Sequence, residues 1–339
     1  MSDDGMRIAE GMRARVLRLG LCMAALLLAP QVGRAELADL FAGNGGSLSD
    51  GGWHVSVDSL FLVRADDMSS VLIRDSAAAG TPSVFHSGQF DLGVSAGPMV
   101  NVVRDLGENW GVGVRYFGLD GFGDSYSQVF APGQSFQEVF GGLNNTDVDQ
   151  FDMTYASRLY NVEVNLRHDV SQRWTVFVGY RFVELDEAFG AYGRTVVGED
   201  PPADQFQTRT SNQLHGFQIG LTGTVLEFER FQLQAGGSAG LYGNHVTQTI
   251  RGFTNESATT PGSRRTDEAA FLGDINVTGV YRLTSHVSLR AGVQLLYLSG
   301  VALGPDQAQT SNIVTGQYAI DNESFAFYYG GFAGLQIDF

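Results

Sequence analysis

The chain has 339 residues, with 44 Gly, 23 Phe, 12 Tyr and 3 Trp, only 8 Pro, and 17% charged residues. Low charge with abundant glycine and aromatics excludes a disordered chain. A formal net charge of −16 with no basic stripe excludes a nucleic-acid binder, which needs a positive face to meet phosphates.

The first segment reads as a targeting signal. Arg7, Arg13, Arg15 and Arg18 precede the apolar run Leu19 to Ala29, and Pro30 and the small-residue site Gly33-Arg34-Ala35 follow. That order is the order of a secretory signal peptide, expected over residues 1–35 with cleavage after Ala35. The apolar run is about half of the ~20 residues a spanning helix needs, which disfavours an uncleaved anchor. The sole cysteine, Cys22, falls in this run, so neither disulfides nor thiol chemistry is expected of the mature chain. No later run suits a membrane helix. A mature chain that spans a membrane must then do so as a closed barrel, the other structure that satisfies every backbone polar group.

Residues 36–52, ending GNGGSLSDGG, read as a flexible lead-in, and the barrel is expected over residues 53–339. In the first run Trp53, Val55, Val57, Phe61 and Val63 alternate with His54, Ser56, Asp58 and Arg64, with Leu60 and Leu62 as apolar exceptions. A polar connection over 66–87 leads to a second run, 88–104. The turn Asp105 to Glu108 opens a third run, Trp110-Gly-Val112-Gly-Val114-Arg-Tyr116. After the longest connection, 119–149, come the fourth and fifth runs. Here Tyr160, Val162, Val164 and Leu166, then Trp174, Val176, Val178, Tyr180 and Phe182, share an apolar phase around the break HDVSQ. The sixth run (210–226) and the seventh (230–243) follow the connection 188–209. The eighth (267–283) and ninth (from Val287) follow 244–266, and the last, Glu323 to Phe339, follows 303–322.

Long and short connections alternate strictly, which puts five long loops on one side. Four short turns and both chain ends lie on the other. That is the wiring of an outer-membrane barrel, and most runs reach the roughly 9–11 residues a tilted spanning strand needs. The expected fold is therefore all-β: a ten-stranded antiparallel up-and-down transmembrane barrel, with eight and twelve strands as alternatives. Trp53, Trp110 and Trp174 all begin upward strands on the apolar phase, the place of a periplasmic aromatic girdle. The last strand carries Leu335, Ile337 and a terminal Phe339 on one face, with Phe332 out of step; this is similar to the signal read by the barrel-assembly machinery. Outer-membrane lipid and that machinery are the expected partners, with no cofactor.

The segments SRLYNVEVNLR…W…VGYRFVELDE, Asn212 to Gly220, AGLYGN (Ala239 to Asn244) and Tyr281 to Leu303 resemble the planctomycete beta-barrel porin family, type seven. The resemblance spans roughly residues 51–339 without the loops, and departs from the family at Asp274, where Glu is favoured. It implies an outer-membrane barrel, and says little about activity.

On the opposite phase lie Asp58, Arg115, Glu163, Arg167, Arg181, Asp274, Arg282 and Arg290, the candidate lumenal charges. Arg115, Glu163 and Arg181 fall at similar heights on successive strands, so a cluster bridging the lumen is expected. Charges in a narrow barrel pair to offset desolvation; lining a path, they set ion selectivity. The pairing reading is preferred because small barrels are filled by side chains. The expected function is thus a structural or surface-interaction role with a narrow charged lumen. A narrow channel for ions or small solutes is the alternative, and an outer-membrane hydrolase is more remote. His215 with Asp186 or Glu187 is the one His–carboxylate proximity at the external rim, no nucleophile motif accompanies it, and no catalytic residue is assigned. The loop carboxylates Asp66-Asp67, Asp147 with Asp149, and Glu199-Asp200 lack the alternation of a calcium loop and read as solvated charge rather than metal ligands.

Overall fold

In the computed structural model, residues 52–66, 70–75, 83–130, 136–138, 140–143, 148–198, 200–255 and 257–339 are described. The expected leader, and the lead-in except Gly52, lie outside them, as do Asp67, Asp147 and Glu199.

Period-two alternation becomes ten long antiparallel strands: β1 (Trp53–Asp66), β4 (Val94–Gly107), β5 (Trp110–Val129), β7 (Gln150–Asp169), β8 (Trp174–Arg194), β9 (Asp204–Glu227), β10 (Phe231–Thr254), β11 (Gly262–Arg282), β12 (Val287–Val301) and β15 (Ser324–Asp338). They close into one barrel, in the order β1-β15-β12-β11-β10-β9-β8-β7-β5-β4. Closure joins the first and last strands, from His54 opposite Asp338 to Asp66 opposite Ala326. No described helix is long and apolar enough to cross a membrane.

Alternation has the expected sidedness. Val57, Val178, Ile219, Ile275, Val293 and Leu335 are exposed on the outer face, and Phe217 and Leu241 keep three quarters of their surface open. A soluble protein does not leave so continuous an apolar band in water; in hydrocarbon it costs nothing. Towards the long-connection end Tyr180 and Phe217, then Phe271, Tyr297 and Phe325, form ring contacts along this face. At the other end Arg104 lies over the Trp53 ring and Trp110 packs on His168. Trp53 and Phe339 exchange both backbone hydrogen bonds, at 2.5 and 2.9 Å, so the chain's last residue is part of the seam.

The strands run further outward than the alternation predicts. The expected connection 119–149 is strand as far as Val129 and again from Gln150, and β10 continues to Thr254. Cross-strand hydrogen bonds sustain these extensions where the polar sequence has no lipid-facing pattern. The wall is uneven: β10 pairs with β11 up to Ile250–Gly262, whereas β12 meets β11 only from Phe271–Ser299 downward. Part of the remaining loop sequence forms a small sheet, β2 (Val71–Asp75), β3 (Ser83–His86) and β6 (Phe136–Glu138). The connection after β12 leaves the wall at Gly300, whose φ of +76° suits glycine. It carries a short helix (Gln307–Thr310) and the pair β13 (Ser311–Asn312) and β14 (Gln317–Tyr318).

Candidate functional site

The inward face of the barrel is built in layers. In the lowest closed layer, the Arg115 guanidinium lies 3.6 Å from Glu163 and 3.4 Å from Asp274, and Arg181 lies 3.5 Å from each of the same two carboxylates. Two arginines and two acids therefore alternate in a closed ring drawn from β5, β7, β8 and β11. The side chains of Glu163, Arg181 and Asp274 expose 4% or less, and Arg115 17%. Adjacency places three of the four: register sets Arg115 against Glu163 and Glu163 against Arg181. Asp274 arrives from across the lumen.

Charges this deep need their remaining lone pairs and protons satisfied. Glu163 accepts from Gln218 (2.8 Å), Asn161 (3.0 Å) and Asn165 (3.3 Å). Gln294 donates to Asp274 (2.9 Å) and accepts from Arg115 (2.8 Å), and Arg181 Nε donates to Asn161 (2.6 Å). Of the other expected lumenal charges, Asp58 and Arg290 stand 3.9 Å apart, with Arg290 over the Phe332 ring. Phe332, out of step in the sequence, is thus inward and fills the lumen. Arg167 and Arg282 are not brought to the ring; neither side chain makes an ion pair or hydrogen bond among the described residues.

Immediately outward, the same face turns apolar on strand after strand. Arg115 is followed by Phe117 and Leu119, Arg181 by Val183 and Leu185, Gln294 by Leu296 and Leu298, and Asp58 by Leu60 and Leu62; on the descending strands Leu159 and Leu272 lie above Glu163 and Asp274. All ten of these side chains have 0% exposure and belong to one hydrophobic cluster. They form a septum about two residues thick. Leu60 and Leu62, exceptions in the alternation, are its contribution from β1.

Above the septum Arg64 pairs with Glu187, and the connection after β12 folds inward as a strap. Asn212 holds both polar atoms of Ala302, accepting from its N–H at 2.8 Å and donating to its carbonyl at 2.9 Å. Asn244 donates to the Gly300 carbonyl (2.8 Å), and the Gly304 N–H donates to Glu187 (2.6 Å). Asp306 accepts from Ser70 (2.8 Å) and Ser324 (2.7 Å). Its burial, with Asp321 and Glu187 near by, raises its pKa above the ordinary carboxylate range. The septum, the pairing of Glu187 with Arg64 and the strap contacts escaped the sequence reading. The signal available was the repeated polar-then-apolar-apolar order along one face.

His215 is on the outer face, where it bonds the Tyr180 hydroxyl at 2.6 Å, while Glu187 points inward. Register sets Asp186 opposite Ser211 and His215 opposite Phe182. No group of three or more His, Cys, Asp or Glu residues among the described ones is placed to hold a metal ion.

A closed ten-stranded antiparallel barrel with a lipid-facing apolar band, a filled lumen and long connections on one side defines an outer-membrane β-barrel protein. The chain belongs to the family described as "Putative beta barrel porin-7", whose model matches residues 106–317. Similar solved structures include the outer membrane protease OmpT of Escherichia coli, at 9% identity and TM-score 0.41, covering 87% of this chain and 99% of that one. The translocator domain of autotransporter NalP from Neisseria meningitidis is similar at 10% identity and TM-score 0.39, covering 95% and 99%. The Ralstonia pickettii toluene transporter TbuX is similar at 10% identity and TM-score 0.32, covering 86% and 89%. No curated protein matches the chain in sequence.

Proposed function

We propose that the protein is a non-conducting outer-membrane barrel with a structural or surface-interaction role, its wall anchoring an external cap made by the strap and the small sheet. The observation that carries this reading is the septum: ten fully buried apolar side chains across the lumen. A hydrated ion entering that layer would shed water against apolar side chains, because the two amides at its level, Asn161 and Asn212, are already hydrogen-bonded. The ring beneath is already neutral by internal pairing, so its charges are used to hold strands together. On this reading the lipid-facing band contacts outer-membrane lipid, and β15 with the adjoining Phe339 is what the assembly machinery engages.

A second reading, a narrow channel for ions or small solutes, is favoured by the polar space below the ring. Were the septum side chains to part, Arg115, Glu163, Arg181 and Asp274 would be the residues that select. A hydrolase role has less support, because Glu187 faces the other side of the wall from His215 and Asp186, on the same side, stands opposite Ser211, four residues along the strand from the His215 register.

Single-channel recording of the refolded mature chain tests this. The expected result is an electrically silent membrane at protein densities where insertion is verified. A steady open conductance, made more anion-selective by Glu163→Gln, would overturn the structural reading in favour of the channel.

A further inference from the structure

Arg167 stands apart from the ring. It occupies the inward face of β7 near the periplasmic mouth, opposite Phe177 in register. Its side chain makes no hydrogen bond or ion pair among the described residues; Asp169 and Asp105 act on it only at longer range. Beside it, between the 170–173 turn and the inward faces of β9 and β10, opens a cavity of about 510 Å³. Arg173, Asn109, Gln172, Gln234 and Thr175 share its lining. The sole carboxylate in that lining, Asp169, already accepts the Thr175 hydroxyl at 2.5 Å.

The cavity thus sets two guanidinium groups, Arg167 and Arg173, among side-chain amides and hydroxyls against a single carboxylate. A guanidinium has five N–H donors in a planar fork and no acceptor, and its strongest partners are carboxylate and phosphate oxygens held by two parallel bonds. Side-chain amides and hydroxyls around it complete a shell for the remaining oxygens. We propose that this cavity is a periplasmic oxyanion-binding site, in which Arg167 grips the carboxylate or phosphate of a small solute or of an envelope component. The charge ring and the septum close it from above, so a ligand enters and leaves from the periplasmic side. The site does not depend on whether the lumen conducts: a conducting barrel that still binds through Arg167 would overturn the functional reading alone.

Trp174 borders the cavity and serves as the reporter. In the full mature chain with Trp53→Phe and Trp110→Phe, refolded in detergent, fluorescence is followed at constant ionic strength during titration with inorganic phosphate and, separately, acetate. A saturable change with either anion, weakened about tenfold or more by Arg167→Gln and less by Arg167→Lys, supports the site; the responding anion identifies the chemistry. Retained heat-modifiable gel migration shows that each variant is folded. Absence of a saturable change with both anions overturns the proposal. So does a change that survives Arg167→Gln in a folded barrel.

Discussion

Arg64 on β1 and Glu187 on β8 form an ion pair across the lumen in which neither side chain retains any solvent-accessible surface. Tyr155 donates its hydroxyl to Glu187 at 2.8 Å and accepts from Arg64 at 3.0 Å, and Ser157 accepts from Arg64 at 2.6 Å. The Gly304 N–H reaches the same carboxylate. One buried pair therefore ties two non-adjacent strands and the strap together.

Removing one partner leaves the other charge buried and alone. Glu187→Gln and Arg64→Met are each expected to destabilise the barrel by about 3–5 kcal/mol, whereas Arg64→Met with Glu187→Leu costs clearly less than the sum. Urea unfolding in lipid vesicles, followed by tryptophan fluorescence, measures this. Strictly additive losses would show that the two side chains do not interact.

The septum predicts where the barrel is opened. Phe117→Gly with Leu185→Gly removes two septum side chains that are fully buried in the wild type. The expected outcome is a steady conductance absent from the parent, with cation-to-anion preference then responsive to Glu163→Gln. Silence in a verified, folded double variant would mean that the strap or cap seals the lumen by itself.

Strap docking should depend on pH through Asp306, whose pKa is raised by burial. The sign follows from linkage: a carboxyl with a raised folded-state pKa favours the neutral form, so its contribution is full below its unfolded pKa. That contribution is lost as pH rises through the raised folded value. Spin-label mobility at exposed Val314 is therefore expected to increase from about pH 4, the ordinary carboxylate range, towards neutrality. Asp306→Asn should flatten that rise; an unchanged profile in this variant would assign it to another group.

The outer face should reject charge according to depth. Val178, half exposed on the apolar band, is expected to lose about 2–4 kcal/mol of folding stability as Val178→Arg. A cost near zero in vesicle unfolding would place it outside the hydrocarbon.

Much of the fold was legible from period two. Ten strands, their sidedness, the short turns and the three tryptophans at one end follow from which residues alternate, because a pleated strand can send a given side chain to one face only. Strand ends above the membrane were not legible. Residues such as Gln205, Thr208 and Thr249 lack lipid-facing contrast, and cross-strand pairing together with the buried inner side chains Phe206 and Ile250 holds them in the sheet. Arg115, Glu163 and Arg181 could be grouped because neighbouring strands bring them side by side.

Asp274 completing the ring, and Arg64 meeting Glu187, are of another kind. These contacts cross the lumen, and which residues face one another there depends on barrel closure and on the stagger accumulated around ten strands, quantities no local pattern encodes. Arg167 and Arg282 share the inward phase of the ring residues, yet closure leaves both outside it. The sequence by itself thus determined the barrel and the face each residue takes, through alternation. Only the tertiary structure decided that the charged phase is a closed ring under an apolar septum, because shear sets which side chains meet across the lumen.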